Sequence, residues 1–138
     1  MADRGRPKSK GVNALTDAVI GAAIEVHRAI GPGLLESAYE ECLAVELAMR
    51  GVPFRRQVQV PLVYKGQQVR GGFRVDLVVA DAVAVELKTV DAILPVHAAQ
   101  LLSYLKMGGW SVGLLLNFHV PLLRDGIRRY VLGLEESH

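Results

Sequence analysis

The sequence contains a single cysteine, Cys42, which excludes an internal disulfide and a cysteine-based zinc cluster and suits a reducing compartment. It also lacks any apolar run near the ~18 residues that a bilayer span requires. The opening stretch, Met1 to Gly11, carries charge and no apolar segment, so it does not read as a secretory signal. These absences lead to the expectation of a cytoplasmic protein with no membrane partner. A strong excess of one charge is missing too. The net charge is only +2, too small for the overall balance to name a partner. The chain shows no internal repeat and no interdomain linker.

What is present is a core-forming composition. With 138 residues, 51% of them hydrophobic, the chain has the material for one globular domain. That domain is expected over 12–134, between a leader at 1–11 and an unpacked end at 135–138. Arg4, Arg6, Lys8 and Lys10 stand among Pro, Gly and Ser in the leader, which cannot pack a core and is expected to be disordered. Such a segment either adds non-specific phosphate attraction or serves as a solubilising leader.

Periodicity predicts the elements. From Asn13 to Ile30, apolar residues recur at Leu15, Val19, Ala22, Val26 and Ile30, a helical spacing with one buried face. Asn13 or Thr16 is positioned to cap it, and Gly31-Pro32-Gly33 ends it. A second helix, Leu35 to Arg50, carries the stripe Leu35, Ala38, Cys42, Val45 and Met49, with Gly51 as its stop. The period then changes to two. Val58, Val60 and Leu62 define a strand to Tyr64, and Lys65-Gly66-Gln67 is a turn. The next strand, Gln68 to Val79, is interrupted at Gly71-Gly72, where paired glycines suggest a bulge or close backbone approach. Ala80-Asp81 turns into a third strand, Val83 to Lys88. A helix from Pro95 to Met107 presents Ala98, Leu101, Leu102 and Leu105 to the core, and Gly108-Gly109 closes it. Val112 to Phe118 reads as a strand buried on both faces, and Ile127 to Leu132 as a final edge strand. The expected class is α/β, with a mixed sheet of about five strands and flanking helices.

The chemistry lies in the middle strands. Val83, Val85 and Leu87 point one way, and Ala84, Glu86 and Lys88 the other. The short hairpin at Ala80 allows Asp76 to lie beside Glu86. Two carboxylates this close repel unless a proton or a cation sits between them. Oxygen ligands suit a hard ion, Mg²⁺ or Mn²⁺. Lys88 beside such an ion could position a water or offset developing negative charge. Both acids interrupt strongly apolar strands, where a merely solvated charge is less expected. The following helix sets His97, Gln100 and Tyr104 on one stripe, distinct from its core stripe.

These residues match a known pattern. Gly33-Leu34-Leu35-Glu36-Ser37-Ala38-Tyr39 reads as the signature of the GxxExxY proteins, part of the PD-(D/E)XK nuclease-like superfamily. The resemblance continues through Phe73-Arg74-Val75-Asp76-Leu77, Val85-Glu86-Leu87-Lys88 and the Pro95–Leu105 helix, into Leu114-Leu115-Leu116-Asn117-Phe118. It covers nearly everything but the leader and the last few residues. One departure is that Val75, not proline, precedes Asp76. The resemblance implies a restriction-endonuclease-like three-layer core. It implies Asp76 and Glu86 as metal ligands, the Leu87 carbonyl as a third, and Lys88 as the catalytic lysine. Glu36 resembles the helical acid that supports the metal. Gln100 resembles a polar residue that follows the core motif, and Tyr104 and Tyr39 would support the pocket.

Blander roles remain open for several residues. Glu36 also suits a helix start, and Tyr39 a half-buried core position with its hydroxyl at the surface. His97 reads as a satisfied histidine, His27 as structural and Trp110 as packing. Asn117 and His119 have no placement of their own. Arg55, Arg56, Arg70 and Arg74 could form a phosphate-facing patch or a solvated sheet face. The leading expectation is a Mg²⁺- or Mn²⁺-dependent nuclease acting on DNA, with RNA in place of DNA as the less favoured alternative. The alternatives are a nucleic-acid or nucleotide-binding module that does not cut, and a protein-interaction role, as a homodimer or a subunit, through the last strand.

Overall fold

A computed structural model of the protein describes residues 9–133; the expectations for 1–8 and 134–138 lie outside the described residues. Its elements are α1 (Ser9–Ile30), α2 (Glu36–Met49), β1 (Phe54–Tyr64), β2 (Gln67–Val79), β3 (Val83–Lys88), α3 (Pro95–Gly108), β4 (Val112–Asn117) and β5 (Ile127–Val131). A one-turn 3-10 segment at Leu123–Gly126, not anticipated from the sequence, leads into β5.

The first helix starts four residues before Asn13, inside the segment read as leader. Val12 is buried and, through the buried Thr16, extends the stripe of Val19, Ala23 and Val26 by two more turns. Thr16 therefore caps nothing. Its hydroxyl donates to the Asn13 carbonyl within the helix at 2.9 Å.

The stripe expected to face inward on α2 faces outward. Leu35, Val45 and Met49 are exposed, while Tyr39, Leu43, Ala44 and Leu47 are buried. Helix α2 carries two apolar stripes, and the one bearing the bulky Tyr39, Leu43 and Leu47 packs on the sheet. Spacing alone does not distinguish them.

The sheet order is β1-β2-β3-β4-β5. Only β3 and β4 run parallel, and α3 provides the crossover that a parallel pair requires. Helices α1 and α2 cover one face over Leu77, Val79, Val83, Val85, Leu87, Leu114 and Leu116. Helix α3 covers the other, burying Leu101 and Leu105 against Val78, Ala84, Trp110 and Leu115. Every residue of β4 is buried, as its unbroken apolar run predicts. The expected three-layer α/β architecture with a mixed five-stranded sheet is the one observed.

Strand β2 continues through the two glycines instead of breaking there. Its register against β1 shifts between the pairs Val60↔Phe73 and Leu62↔Val69, so that Arg70, Gly71 and Gly72 oppose Pro61 alone. Gly71 adopts φ 102°, and a Cβ on Gly72 would lie 2.8 Å from the Val60 carbonyl oxygen. The bulge and the close approach are both present, and both need glycine.

Candidate active site

The β2–β3 ladder runs through Val79↔Val83, Val78↔Ala84 and Leu77↔Val85, and stops. It grows from a tight turn in which Ala80 and Asp81 both take positive φ, 51° and 53°. One position past its end stand Asp76 and Glu86. The Asp76 amide donates to Glu86 Oε2 at 2.9 Å, and the Leu87 amide donates to Asp76 Oδ2 at 2.9 Å. Side-chain carboxylates thus accept the bonds that partner-strand carbonyls would otherwise take, and the two strands part.

Glu86 is only 8% exposed. Burial, and next the Asp76 charge, push its carboxyl from 4.5 up to about 8, while the Asp76 amide and the Lys88 ammonium pull the other way. Asp76 is raised as well, mainly by burial and then by Glu40 and Glu36, against the Leu87 amide and Gln57. Lys88 is half-buried at the end of β3.

Beside the pair lies a network that sequence reasoning missed. Gln57 sits opposite Asp76 at a bend in β1, with φ 51°. Its amide nitrogen donates to Glu40 Oε1 at 2.7 Å and to Asp76 Oδ1 at 3.4 Å. Glu40 is buried on α2, and Arg56 Nε donates to its other oxygen at 2.9 Å. The available clue was that Glu40 stands one turn after Glu36, on the Tyr39 side of the helix.

The other expected residues scatter around this centre. Glu36, exposed at the first turn of α2, lies close enough to raise Asp76 and Glu86 but has no hydrogen bond to either. Tyr104 stacks on Phe73 at 4.4 Å between centroids, and burial followed by the charges of Glu86 and Asp76 raises its phenol. Gln100 is exposed on α3. Tyr39, by contrast, is fully buried and has no surface to offer a substrate. Its hydroxyl donates to the Gly31 carbonyl at 2.6 Å and accepts the Leu34 amide at 3.2 Å, and its ring stacks on Phe118. It secures the turn from which α2 and Glu36 begin, so neither a substrate contact nor a hydroxyl at the surface describes it.

His97 accepts the Leu94 amide on Nδ1 at 2.9 Å, capping α3. His27 is buried, with Nε2 donating to the Val120 carbonyl at 2.8 Å. Trp110 packs in the core under α3. Asn117, buried at the end of β4, accepts the Val90 and His119 amides and donates to the Val90 carbonyl, tying down the loop after Lys88. Arg55 pairs with Asp81, and Arg56 with Glu40 and Glu41. Arg70 and Arg74 are exposed and make no ion pair with any described residue.

Helices on both faces of an open, mixed five-stranded sheet make this a restriction-endonuclease-like α/β fold. The family model of the PD-(D/E)XK nuclease superfamily matches residues 13–130, and the chain belongs to that superfamily. No curated protein and no solved structure gives a match. Among the described residues, no helix is long and apolar enough to cross a membrane.

Proposed function

We propose that the protein is a divalent-cation-dependent nuclease that hydrolyses phosphodiester bonds in DNA. The observation that carries this reading is the Asp76–Glu86 pair, Glu86 buried and Asp76 half-buried, with Lys88 beside it, in a chain of a nuclease superfamily.

The donor set suits a hard cation. Among the described residues, no three His, Cys, Asp or Glu side chains converge as a metal cluster. The candidate ligands are instead two carboxylates and a backbone oxygen. In an extended strand a residue's N–H and C=O point the same way, so the Leu87 carbonyl is directed into the gap its amide faces. An all-oxygen set that leaves positions for water fits Mg²⁺ or Mn²⁺. Asp76, Glu86 and the Leu87 carbonyl would hold the ion, which when bound polarises the phosphate and lowers the pKa of a water. Glu36 adds negative charge to its approach.

In the hydrolysis a water oxygen bonds to phosphorus and gives up a proton to solvent, and the ester oxygen leaves with the electron pair of the broken P–O bond and takes up a proton from solvent. Lys88 orients the attacking water and offsets charge growing on the phosphate oxygens. Gln57, held by Glu40, keeps the Asp76 carboxylate turned toward the gap. Asn117 fixes the loop that follows Lys88.

The test is incubation of the purified protein with labelled single- and double-stranded DNA and RNA in Mn²⁺. Cleavage of DNA that disappears in Asp76→Ala and in Lys88→Ala supports the reading. Cleavage that survives either substitution, or no cleavage of any nucleic acid, overturns it.

A further inference from the structure

Between Glu46 and Asp76 the sequence has no acidic residue, yet it has six basic ones: Arg50, Arg55, Arg56, Lys65, Arg70 and Arg74. The fold sorts these six. Arg50, Arg55 and Arg56 are engaged by Glu46, Asp81 and the Glu40–Glu41 pair. Lys65, Arg70 and Arg74 have no ion pair with any described residue, and all three are exposed. They lie on one structure, the part of the β1–β2 hairpin that outruns the rest of the sheet.

That part is a two-stranded ribbon. Strand β3 pairs with β2 only as far as Leu77, whereas β1 and β2 stay paired to Tyr64↔Gln67. From Val58 to Tyr64 the ribbon extends roughly 20 Å. Its base packs on α3 through Val60 and Phe73, and every residue from 63 to 72 is exposed. A bare two-stranded ribbon in water is marginal by itself, so a partner lying on this extension would stabilise it. Three of the chain's five glutamines, Gln59, Gln67 and Gln68, lie along the ribbon, and Gln59 pairs directly with Arg74.

We infer that this ribbon is an arm that binds duplex DNA and seats one strand on the Asp76–Glu86 site. The inference rests on the nuclease reading and adds the form of the substrate. Three observations select a DNA duplex. Cations without an ion pair among the described residues, and amide side chains with no intervening acid, complement a phosphate backbone, with Lys65 lying over the Tyr64 ring at 5.4 Å. A two-stranded ribbon fits the ~12 Å major groove of B-form DNA, whereas the A-form RNA groove is deep and narrow. Single strands are held by stacking on successive exposed aromatics. The ribbon offers only Tyr64 for that purpose, because Phe73 is already stacked on Tyr104. Asp76 lies at the ribbon's root, where β2 leaves β3, so DNA gripped by the arm runs past the carboxylates.

The test is fluorescence anisotropy of the full chain in EDTA with a duplex DNA, its single strand and the corresponding RNA duplex. Duplex DNA should bind tightest. Combining Lys65→Ala, Arg70→Ala and Arg74→Ala should weaken that binding at least ~10-fold and lower the slope of log K against log salt by about 2 to 3. Its melting temperature should not change, and Arg74→Glu alone should also weaken binding. Undiminished binding by the triple variant, or equal binding of single-stranded DNA or duplex RNA, overturns the inference. The two readings fail separately. A wild-type protein that binds duplex DNA through the ribbon yet cuts nothing in Mg²⁺ or Mn²⁺ removes the nuclease and leaves the arm. Cleavage that depends on Asp76 and Lys88, with kcat/KM intact in the triple variant, removes the arm and leaves the nuclease.

Discussion

The amide of Asp76 donates to the Glu86 carboxylate at 2.9 Å, at the first position where the two strands no longer pair through their backbones. Each acid sits where a ladder carbonyl would be, and the Leu87 amide returns the bond to Asp76. The pair is therefore held by backbone donors, with Glu86 buried and Asp76 half-buried, two conditions that oppose each other. Donors favour the charged form, while burial and mutual repulsion disfavour it. For Glu86 burial wins, and its carboxyl rises to about 8.

This has a sign in pH. A carboxyl whose pKa is higher folded than unfolded contributes its stability below the unfolded value of 4.5 and loses it as pH rises through about 8. Asp76, raised in the same sense, adds to the trend. In EDTA, urea denaturation should show the protein less stable at pH 8.5 than at pH 5. For Glu86 the loss is at most on the order of 4 to 5 kcal/mol. Glu86→Gln should flatten the profile, and equal pH slopes in the two proteins would refute the assignment.

Cation binding should run against this slope. Protons and Mn²⁺ compete for the same oxygens, so the rise in melting temperature with Mn²⁺ should be larger at pH 8 than at pH 5.5. At a hundredfold excess over Kd the stabilisation is ~2.7 kcal/mol. Asp76→Asn should abolish it, and calorimetry should detect proton release on binding to the wild type. A pH-independent shift that Asp76→Asn retains would place the ion elsewhere.

Gln57 bridges Glu40 and Asp76. Gln57→Ala should cost ~1 kcal/mol of stability and weaken Mn²⁺ binding several-fold in a calorimetric titration. Gln57→Glu should be far worse, because it puts a third carboxylate between two others. Equal Mn²⁺ affinity in Gln57→Ala and wild type would show that the amide does not position Asp76.

Asn117 makes three hydrogen bonds from a buried site, two of them to Val90. Asn117→Ala should cost about 2 to 3 kcal/mol and raise hydrogen exchange at the Val90 amide. It should also reduce cleavage, since the loop it anchors follows Lys88. An unchanged exchange rate at Val90 would rule out the anchoring role.

Much of the architecture was legible because local rules and tertiary contacts agree. The period-two pattern of β3 already separates Val83, Val85 and Leu87 from Ala84, and the structure sends the two sets into opposite cores. The apolar run of β4 could only be a strand covered on both sides. Where two local solutions were equally good, spacing failed. On α2 both Leu35–Cys42–Val45–Met49 and Tyr39–Leu43–Leu47 are helical stripes, and the wrong one was expected to be buried. The Glu40–Gln57 bridge was invisible for a related reason: its partners are 17 residues apart on different elements, and no periodicity links them.

The sequence by itself determined that Asp76 and Glu86 would be neighbours. A short hairpin leaves little freedom in antiparallel register, so the closing turn nearly dictates which residues meet. Only the tertiary structure decided that Glu86 would be buried and Asp76 bridged to α2, and that the pair would stand at the root of a ribbon left without a third strand. Those features depend on where β3 ends relative to β2 and on which face of α2 packs on the sheet. Both are settled by burying the largest apolar surface of the whole chain at once, not by any local preference.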